Sequence, residues 1–464
     1  MRTATLNTAK MAAAIILGSL FDIELTVGAA CPTPSFAAPA TILPTSNNAA
    51  FFSPYAAAAG DLNGDGKLDL AVAGSDGVWV FSGNRDGTFR PPTKAFGGQA
   101  SSVAVGDFNS DGKPDLALVN GVLANGSGVS VLLGNGDGTF NTPIGNYDAG
   151  NLPYALAVGD FNRDGQLDLA VANYGGSNNN VTVILGNGDG TFQSAADYNV
   201  GQNLTSIAAG DFSGNGKLDL AVANQNRNNV AVLLGNGDGT FKPVVNYRTG
   251  AEPVFVAAGD FNGDGKLDLA VSNYEPGNPT NGSVSVLLGN GDGTFQPPVN
   301  YGVSANAMSV AVGDFNGDGK LDLVVGTVAN IAVLLGNGDG TFQRPITYGG
   351  SGDFVGVADF RGNGKSDLVV TMMGGGFLFP VNGSASVRLN TCPCAGVRLD
   401  VTRSNNAVIV SWPLPYTNFI PESAPSFGSG NWEQVAQMIT TSNGRCEVTV
   451  PLDQQLRFFR LRKP

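Results

Sequence analysis

The stretch Asp260-Phe261-Asn262-Gly263-Asp264-Gly265-Lys266-Leu267-Asp268 decides how this chain is read. Its first Asp returns, with small changes around it, at Asp61, Asp107, Asp160, Asp211, Asp314 and Asp359, at intervals of 45 to 54 residues. A second string, Leu-Gly-Asn-Gly-Asp-Gly-Thr-Phe, recurs between these copies, its Asp falling at Asp86, Asp137, Asp189, Asp238, Asp292 and Asp339. An eroded seventh copy is expected over Pro380–Val387. In the fifth unit Val254–Gly259, Leu267–Ser272 and Val284–Leu288 read as strands, and Asn290-Gly291-Asp292-Gly293 as the turn into a fourth over Thr294–Tyr301. Asn-Gly and Asp-Gly favour such hairpins because they accept positive φ. Four antiparallel strands per unit of roughly 50 residues, repeated seven times, predict an all-β chain built as a seven-bladed β-propeller. A solenoid is the rival arrangement, but it would have to cap sheet edges that a closed ring removes.

Closure requires an outer strand for the last blade. Ser35-Phe36-Ala37-Ala38-Pro39 echoes the Thr294–Pro298 opening of a fourth strand, so the segment 31–50 is a candidate. Ala385–Asn390 competes for the same place.

The Asp-rich loops have their own chemistry. Positions 1, 3 and 5 project oxygen side chains, the glycine at position 6 permits a sharp turn, position 7 offers a backbone carbonyl and Asp at position 9 closes the shell. Hard oxygen ligands at this spacing suit Ca²⁺, whereas Mg²⁺ sheds water reluctantly. An EF-hand is excluded: it needs a Glu at position 12 and flanking helices, and here an apolar strand begins at position 10. The candidate ligands are Asp61, Asn63, Asp65, Lys67 and Asp69 in loop one, and Asp107, Asn109, Asp111, Lys113 and Asp115 in loop two. Loop three offers Asp160, Asn162, Asp164, Gln166 and Asp168, and loop four Asp211, Ser213, Asn215, Lys217 and Asp219. Loop five offers Asp260, Asn262, Asp264, Lys266 and Asp268, and loop six Asp314, Asn316, Asp318, Lys320 and Asp322. Loop four has one carboxylate fewer, and loop seven puts Arg361 at position 3. Since affinity follows ligand charge, about five strong Ca²⁺ sites, one weaker site in loop four and none in loop seven are expected. The Asn-Gly-Asp-Gly turns read as hairpins whose Asp caps its own backbone. Phe140, Phe192, Phe241, Phe295 and Phe342 read as packing residues. Tyr147, Tyr198, Tyr247, Tyr301 and Tyr348 read as edge packing in preference to a carbohydrate rim.

Composition narrows the function classes. The 464 residues include 66 Gly, and only 14% are charged. The net charge of −13 argues against nucleic acid, which needs a basic face. Of the 38 acidic residues 32 are Asp, the residue of turns and oxygen-ligand loops. There is no histidine, which removes Ser-His-Asp triads, His-zinc sites and histidine general bases.

Arg2 and Lys10 precede an apolar run over Met11–Phe21, too short to span a bilayer and followed by Gly28-Ala29-Ala30. Residues 1–30 are therefore expected to be an export signal, with no transmembrane segment and a secreted, periplasmic or cell-surface destination. Lipidation of Cys31 would call for a branched apolar residue where Gly28 stands, so simple export is preferred. Cys392 and Cys394 are too close for an easy mutual bridge, and structural disulfides are expected at Cys446, with Cys31 as a candidate.

In its two motifs the chain resembles the FG-GAP/VCBS repeat family, which includes the propeller of integrin α chains; the resemblance covers about residues 51–390. It implies that the Asp-x-Asn/Asp-x-Asp-Gly-x-x-Asp loops join the first two strands of each blade and hold Ca²⁺ on one face of the disc. The propeller is assigned to residues 51–394. Residues 395–464 break the period and read as a small β-sandwich, loosely resembling a fibronectin type III module, with Trp412 and Trp432 as core. The functional expectation is a monomeric, non-catalytic adhesion or binding protein for an extracellular glycan or protein surface. The contact candidates are the varied stretches Asn120–Gly128, Tyr174–Asn180 and Tyr274–Gly282. A carbohydrate lyase or hydrolase is the alternative, needing an acid/base pair beyond Glu252 and Glu275. A structural envelope or matrix protein is the third.

Overall fold

The computed structural model describes residues 33–42, 53–120, 128–175, 180–275, 282–372 and 384–392 in full, together with the backbone of short strands at 13–14, 25–27 and between 397 and 462. Two compact units emerge, one of residues 35–315 and 320–391, the other of residues 1–34, 316–319 and 392–464.

The larger unit is a propeller of seven four-stranded antiparallel sheets. In the fifth blade Pro253–Gly259 pairs with Asp268–Asn273, which pairs with Ser283–Leu287 and then Val299–Gly302. Asp268 faces Gly259, so the Asp-rich loop is the connection between first and second strands. The fourth strand differs from the expectation over Thr294–Tyr301. It shrinks to an isolated Gly289–Phe295 bridge and a separate Val299–Gly302 segment. Pro297 and Pro298 stand between them, and a proline has no N–H to give to the ladder.

Second and third strands are mostly buried, and wholly so in Asp168–Asn173 and Asn180–Ile184. Between blades three and four, Phe161, Ala170, Val181 and Val183 pack against Leu220, Val222, Leu233 and Phe241. Each fully buried Val or Leu contributes about 1.5–3 kcal/mol. The first strand of each blade touches that of the next, and Phe354–Ala358 of blade seven touches Pro54–Gly60 of blade one, which completes the ring.

The recurrent aromatics join neighbouring blades. Phe241, after the turn of blade four, lies 5.9 Å from Phe161 and 5.3 Å from Tyr198 of blade three in edge-on contacts. The same trio recurs as Phe108, Tyr147 and Phe192, as Phe212, Tyr247 and Phe295, and as Phe261, Tyr301 and Phe342. The tyrosines therefore serve packing between blades.

Blade seven takes its outer strand from the N-terminal segment: Ala40–Ile42 pairs with Ser384–Arg388, which is the third strand, not the fourth. Phe36 lies 6.1 Å from Phe315 and 5.2 Å from Tyr348, taking the place that Phe241 takes in blade four. The eroded turn copy is not at Pro380–Val387. Residues 380–383 lie outside the described residues, and 384–387 are strand. Its equivalent is split between Leu389-Asn390-Thr391 and Ser35-Phe36-Ala37. Thr391 N–H donates to Ser35 O and Ala37 N–H to Leu389 O, both at 2.8 Å, just as Asn187 and Gln193 bond to Thr191 and Leu185 inside one continuous turn.

In the smaller unit Val397–Ser404, Ala407–Pro413, Arg445–Pro451 and Thr440–Ser442 form one antiparallel sheet, and Phe458–Arg462, Ile420–Ala424 and Glu433–Gln434 another. Leu25–Val27 and Ala13–Ala14, from the segment read as an export signal, add an edge strand to each. Cys392 is buried and disulfide-bonded. Among the described residues no helix is long and apolar enough to cross a membrane. Most of the three variable stretches, at 121–127, 176–179 and 276–281, and Cys31 and Cys394, lie outside the described residues.

Candidate functional site

Loops one, two, three and five share one hydrogen-bond pattern. In loop three Asp164 N–H donates to Asp160 Oδ1 at 3.1 Å and to Asn162 Oδ1 at 3.0 Å. Gly165 N–H reaches Asp160 Oδ2 at 2.9 Å, and Gln166 N–H reaches Asp164 Oδ1 at 2.8 Å. The side chains at positions 1, 3 and 5 thus each accept from the loop's own backbone, which bends the loop so that all three oxygen groups stand at one exposed tip. Gly265 shows why position 6 is glycine: its φ is +82° although a side chain there would meet nothing within 4 Å, so conformation rather than space makes the demand.

The carboxylates at position 9 carry an anchoring role that the sequence reading did not include. Asp69, Asp115, Asp168, Asp219, Asp268 and Asp322 are wholly buried. Asp168 accepts from Phe161 N–H through Oδ2 and from Gly186 N–H through Oδ1, both at 2.8 Å. Equivalent pairs hold Asp69, Asp115, Asp219, Asp268 and Asp322. Each buried carboxylate therefore ties the Asp-rich loop to the glycine that opens the next turn. A side chain at Gly289 would meet Leu267 O at 2.2 Å, so glycine is required for this close approach. The repeated leucine-glycine pair signalled it, but only as a turn. The turn is clasped to the preceding blade as well: Gly239 N–H donates to Phe161 O at 3.1 Å.

Burial pushes the Asp168 carboxyl up to about 6, against the pull of the Gly186 and Phe161 N–H groups, and Asp164 and Asp160 push it further. Burial likewise raises Asp69, Asp115, Asp219 and Asp268. The exposed Asp65 and Asp111 are lowered, chiefly by hydrogen bonds from Lys67 and Lys113. Lys67 Nζ sits 3.1 Å from Asp65 Oδ2, and the pair recurs at 3.6 Å in loops two and five. Exposed pairs of this kind contribute little to stability, because solvent screens them.

Loop four keeps the frame with Asp211 accepting from Asn215 and Gly216. Asn316 and Asp318 of loop six belong to the smaller unit, where Asp318 N–H donates to Asn316 Oδ1 at 2.8 Å. In loop seven Arg361 turns inward. Its Nη2 lies 2.7 Å from Asp367 Oδ1 and donates to Asn390 O, also at 2.7 Å. The turn aspartates face their own threonines: the Thr191 hydroxyl and the Thr191 N–H both donate to Asp189 Oδ1, and these hydrogen bonds hold the Asp189 carboxyl below its ordinary value.

The oxygen-only donor set at positions 1, 3 and 5 fits a hard cation. Among the described residues no three His, Cys, Asp or Glu side chains gather round one centre. The carboxylates at position 9 of loops one to six accept from backbone N–H groups.

The profile of the FG-GAP-like repeat matches residues 61–118, 121–171, 160–222, 211–271, 277–325 and 316–370, well over half of the chain. The chain belongs to the FG-GAP-like repeat family. Several of the matched FG-GAP-like segments begin at position 1 of one Asp-rich loop and end within the second strand of the next blade, so the repeat as written in sequence straddles two blades. No curated protein sequence matches the chain. Among solved structures, BBS1N in complex with ARL6DN matches with a TM-score of 0.51 and 11% identity, over 78% of this chain and 98% of that one. An Agrocybe aegerita lectin, described as recognising non-reducing terminal N-acetylglucosamine, matches at 0.47 and 24% identity, over 64% and 80%. The V. cholerae biofilm matrix protein Bap1 matches at 0.42 and 14%, over 78% and 92%. At 11% identity the first of these speaks for the shared fold alone.

Proposed function

We propose that this FG-GAP-like protein is an exported, calcium-loaded propeller that binds an extracellular glycan or protein surface without catalysing a reaction. The observation that carries the calcium reading is loop seven. Where position 3 offers no oxygen ligand, the chain supplies a cation of its own, and Arg361 occupies the carboxylate that elsewhere sits beneath the three-oxygen tip. In loops one, two, three and five, Ca²⁺ would be held by the Asp, Asn and Asp of positions 1, 3 and 5. Its charge would offset the repulsion among these carboxylates and the buried Asp beneath them. Loops four and six complete the set, with loop four the weakest because Asn215 replaces an aspartate.

With the loops set by metal, the ring is a rigid frame, and recognition falls to side chains at the opposite ends of the strands. The test is binding to arrayed glycans and to matrix proteins, with and without chelator, while sugar products are assayed. Retention that falls on chelation, with no product released, is the expected result. Release of reducing-end or unsaturated sugars would overturn the non-catalytic reading.

A further inference from the structure

We infer that the propeller carries a binding site for a neutral carbohydrate at the axial mouth opposite the Asp-rich loops, built by Tyr154 and Tyr174 of blade three with Gln225 and Glu252 beside them. The inference rests on the binding-protein reading and gives it a place and a ligand class.

The starts of first strands and the ends of second strands lie at the strand ends remote from the Asp-rich loops. Tyr154 and Tyr174 meet there, their ring centroids 5.4 Å apart and their planes at 33°. They are 42% and 36% exposed, the two most exposed large aromatics among the described residues. Burial pushes the Tyr154 hydroxyl up although its ring is open to water, and Tyr174, Tyr55 and Asp353 push it further. Tyr55 opens the first strand of blade one as Tyr154 opens that of blade three, so both stand at the same end of the strands that meet their neighbours around the ring. Phe255 and Phe354, from the first strands of blades five and seven, lie with ring centroids 6.0 Å apart, so non-adjacent blades approach one another at the axis.

The polar edge is loosely held. Tyr174 Oη donates to Gln225 Oε1 at 3.5 Å, and Gln225 Nε2 donates to Glu252 Oε2 at 3.4 Å. Bonds at the limit of hydrogen-bonding range are weak and open to exchange with ligand hydroxyls. The backbone positions are specified: Leu152 and Glu252 take φ of 55° and 43°, which their side chains disfavour, and their carbonyls catch Tyr174 N–H at 2.9 Å and Tyr274 N–H at 3.0 Å. Aromatic faces for the C–H face of a pyranose, with an amide and a carboxylate for its hydroxyls, are the chemistry of sugar recognition. Glu252 and Asp353, in a chain of net charge −13, oppose polyanionic glycans, and the exposed Arg227 is the basic group on the neighbouring turn. The ligand is therefore a neutral sugar.

The test is calorimetric titration of the full chain with short cello-, manno- and N-acetylchito-oligosaccharides. The wild type should bind at least one, and Tyr154→Ala and Tyr174→Ala should each weaken it about tenfold or more, or 1.4 kcal/mol. Tyr174→Phe should keep most of the affinity, and Val299→Ser, on an exposed outer strand, should leave it unchanged. The bound sugar should also protect Tyr154 and Tyr174 of the wild type from nitration by tetranitromethane. A wild type that binds none of these sugars overturns the inference. So does one whose binding ignores both tyrosine replacements and gives no protection. In that second outcome the binding-protein reading stands while this site falls, and retention of matrix proteins without sugar binding would separate the two in the same way.

Discussion

Blades three and seven share one plan and differ at two joints. In blade three the turn Asn187–Thr191 is one continuous piece, and Asp168 sits beneath a loop whose positions 1, 3 and 5 are oxygen donors. In blade seven the turn is assembled from Leu389-Asn390-Thr391 and Ser35-Phe36-Ala37, brought together from opposite ends of the propeller sequence. Asp367 there is gripped by Arg361. The shared feature is a buried carboxylate that fastens loop to turn; in blade seven an arginine of the same loop neutralises it, and in blade three two backbone N–H groups hold it. The joint itself is made by the protein's own groups in both blades, and the proposal places a cation only at the acidic tips above it.

The largest effect should come from the split joint. Removing residues 33–42 leaves Ser384–Arg388 as an open edge and takes Phe36 from Phe315 and Tyr348, so the protein should lose its folded monomer and aggregate, as light scattering would show. A truncated chain that stays monomeric with unchanged melting would break the comparison. Next come the buried carboxylates. Asp168→Ala strands two N–H donors and should cost roughly 2–5 kcal/mol in denaturant unfolding. Arg361→Ala leaves Asp367 without its ion pair and should cost about 3 kcal/mol, independent of calcium. Converting loop seven with Arg361→Asn and Asn363→Asp copies the pattern of loop three, and should add about one metal ion per chain in elemental analysis. The smallest effect belongs to the turn caps. Asp189→Ala loses two exposed hydrogen bonds to Thr191 and should lower the melting temperature only slightly, with no change in metal content.

The propeller was legible because the period is written in residues whose backbone preferences are strong. Gly-Asp-Phe-Asn marks the end of a first strand, Asn-Gly-Asp-Gly forces a turn, and the apolar runs between them have nowhere to go but a blade interface. Arg361 was legible as a misplaced cation, but its partner was not, since Asp367 reads like one more loop ligand. The same ambiguity hid the role of Asp168 and its equivalents: an aspartate at position 9 looks alike in sequence whether it faces a metal or two N–H groups. Phe36 could be matched to the other turn phenylalanines by its flanking residues, yet only pairing shows that Asn390 completes its turn. Tyr154 and Tyr174 lie outside both motifs, and nothing in their spacing reveals that a first-strand start and a second-strand end share one rim.

The central claim is that the oxygen-tipped loops hold calcium while loop seven uses its own arginine. Metal content by elemental analysis of the purified protein, paired with thermal melts in calcium and in chelator, tests it most directly. A saturated site, at free ion about a hundredfold above its Kd, adds about 2.7 kcal/mol, so melting should fall clearly on chelation. The account predicts about five to six ions per chain, the loop-four site emptying first and Ser213→Asn with Asn215→Asp strengthening it. Fewer than about three ions, with melts indifferent to chelator, would contradict it and leave the loops as turns held by their own backbone.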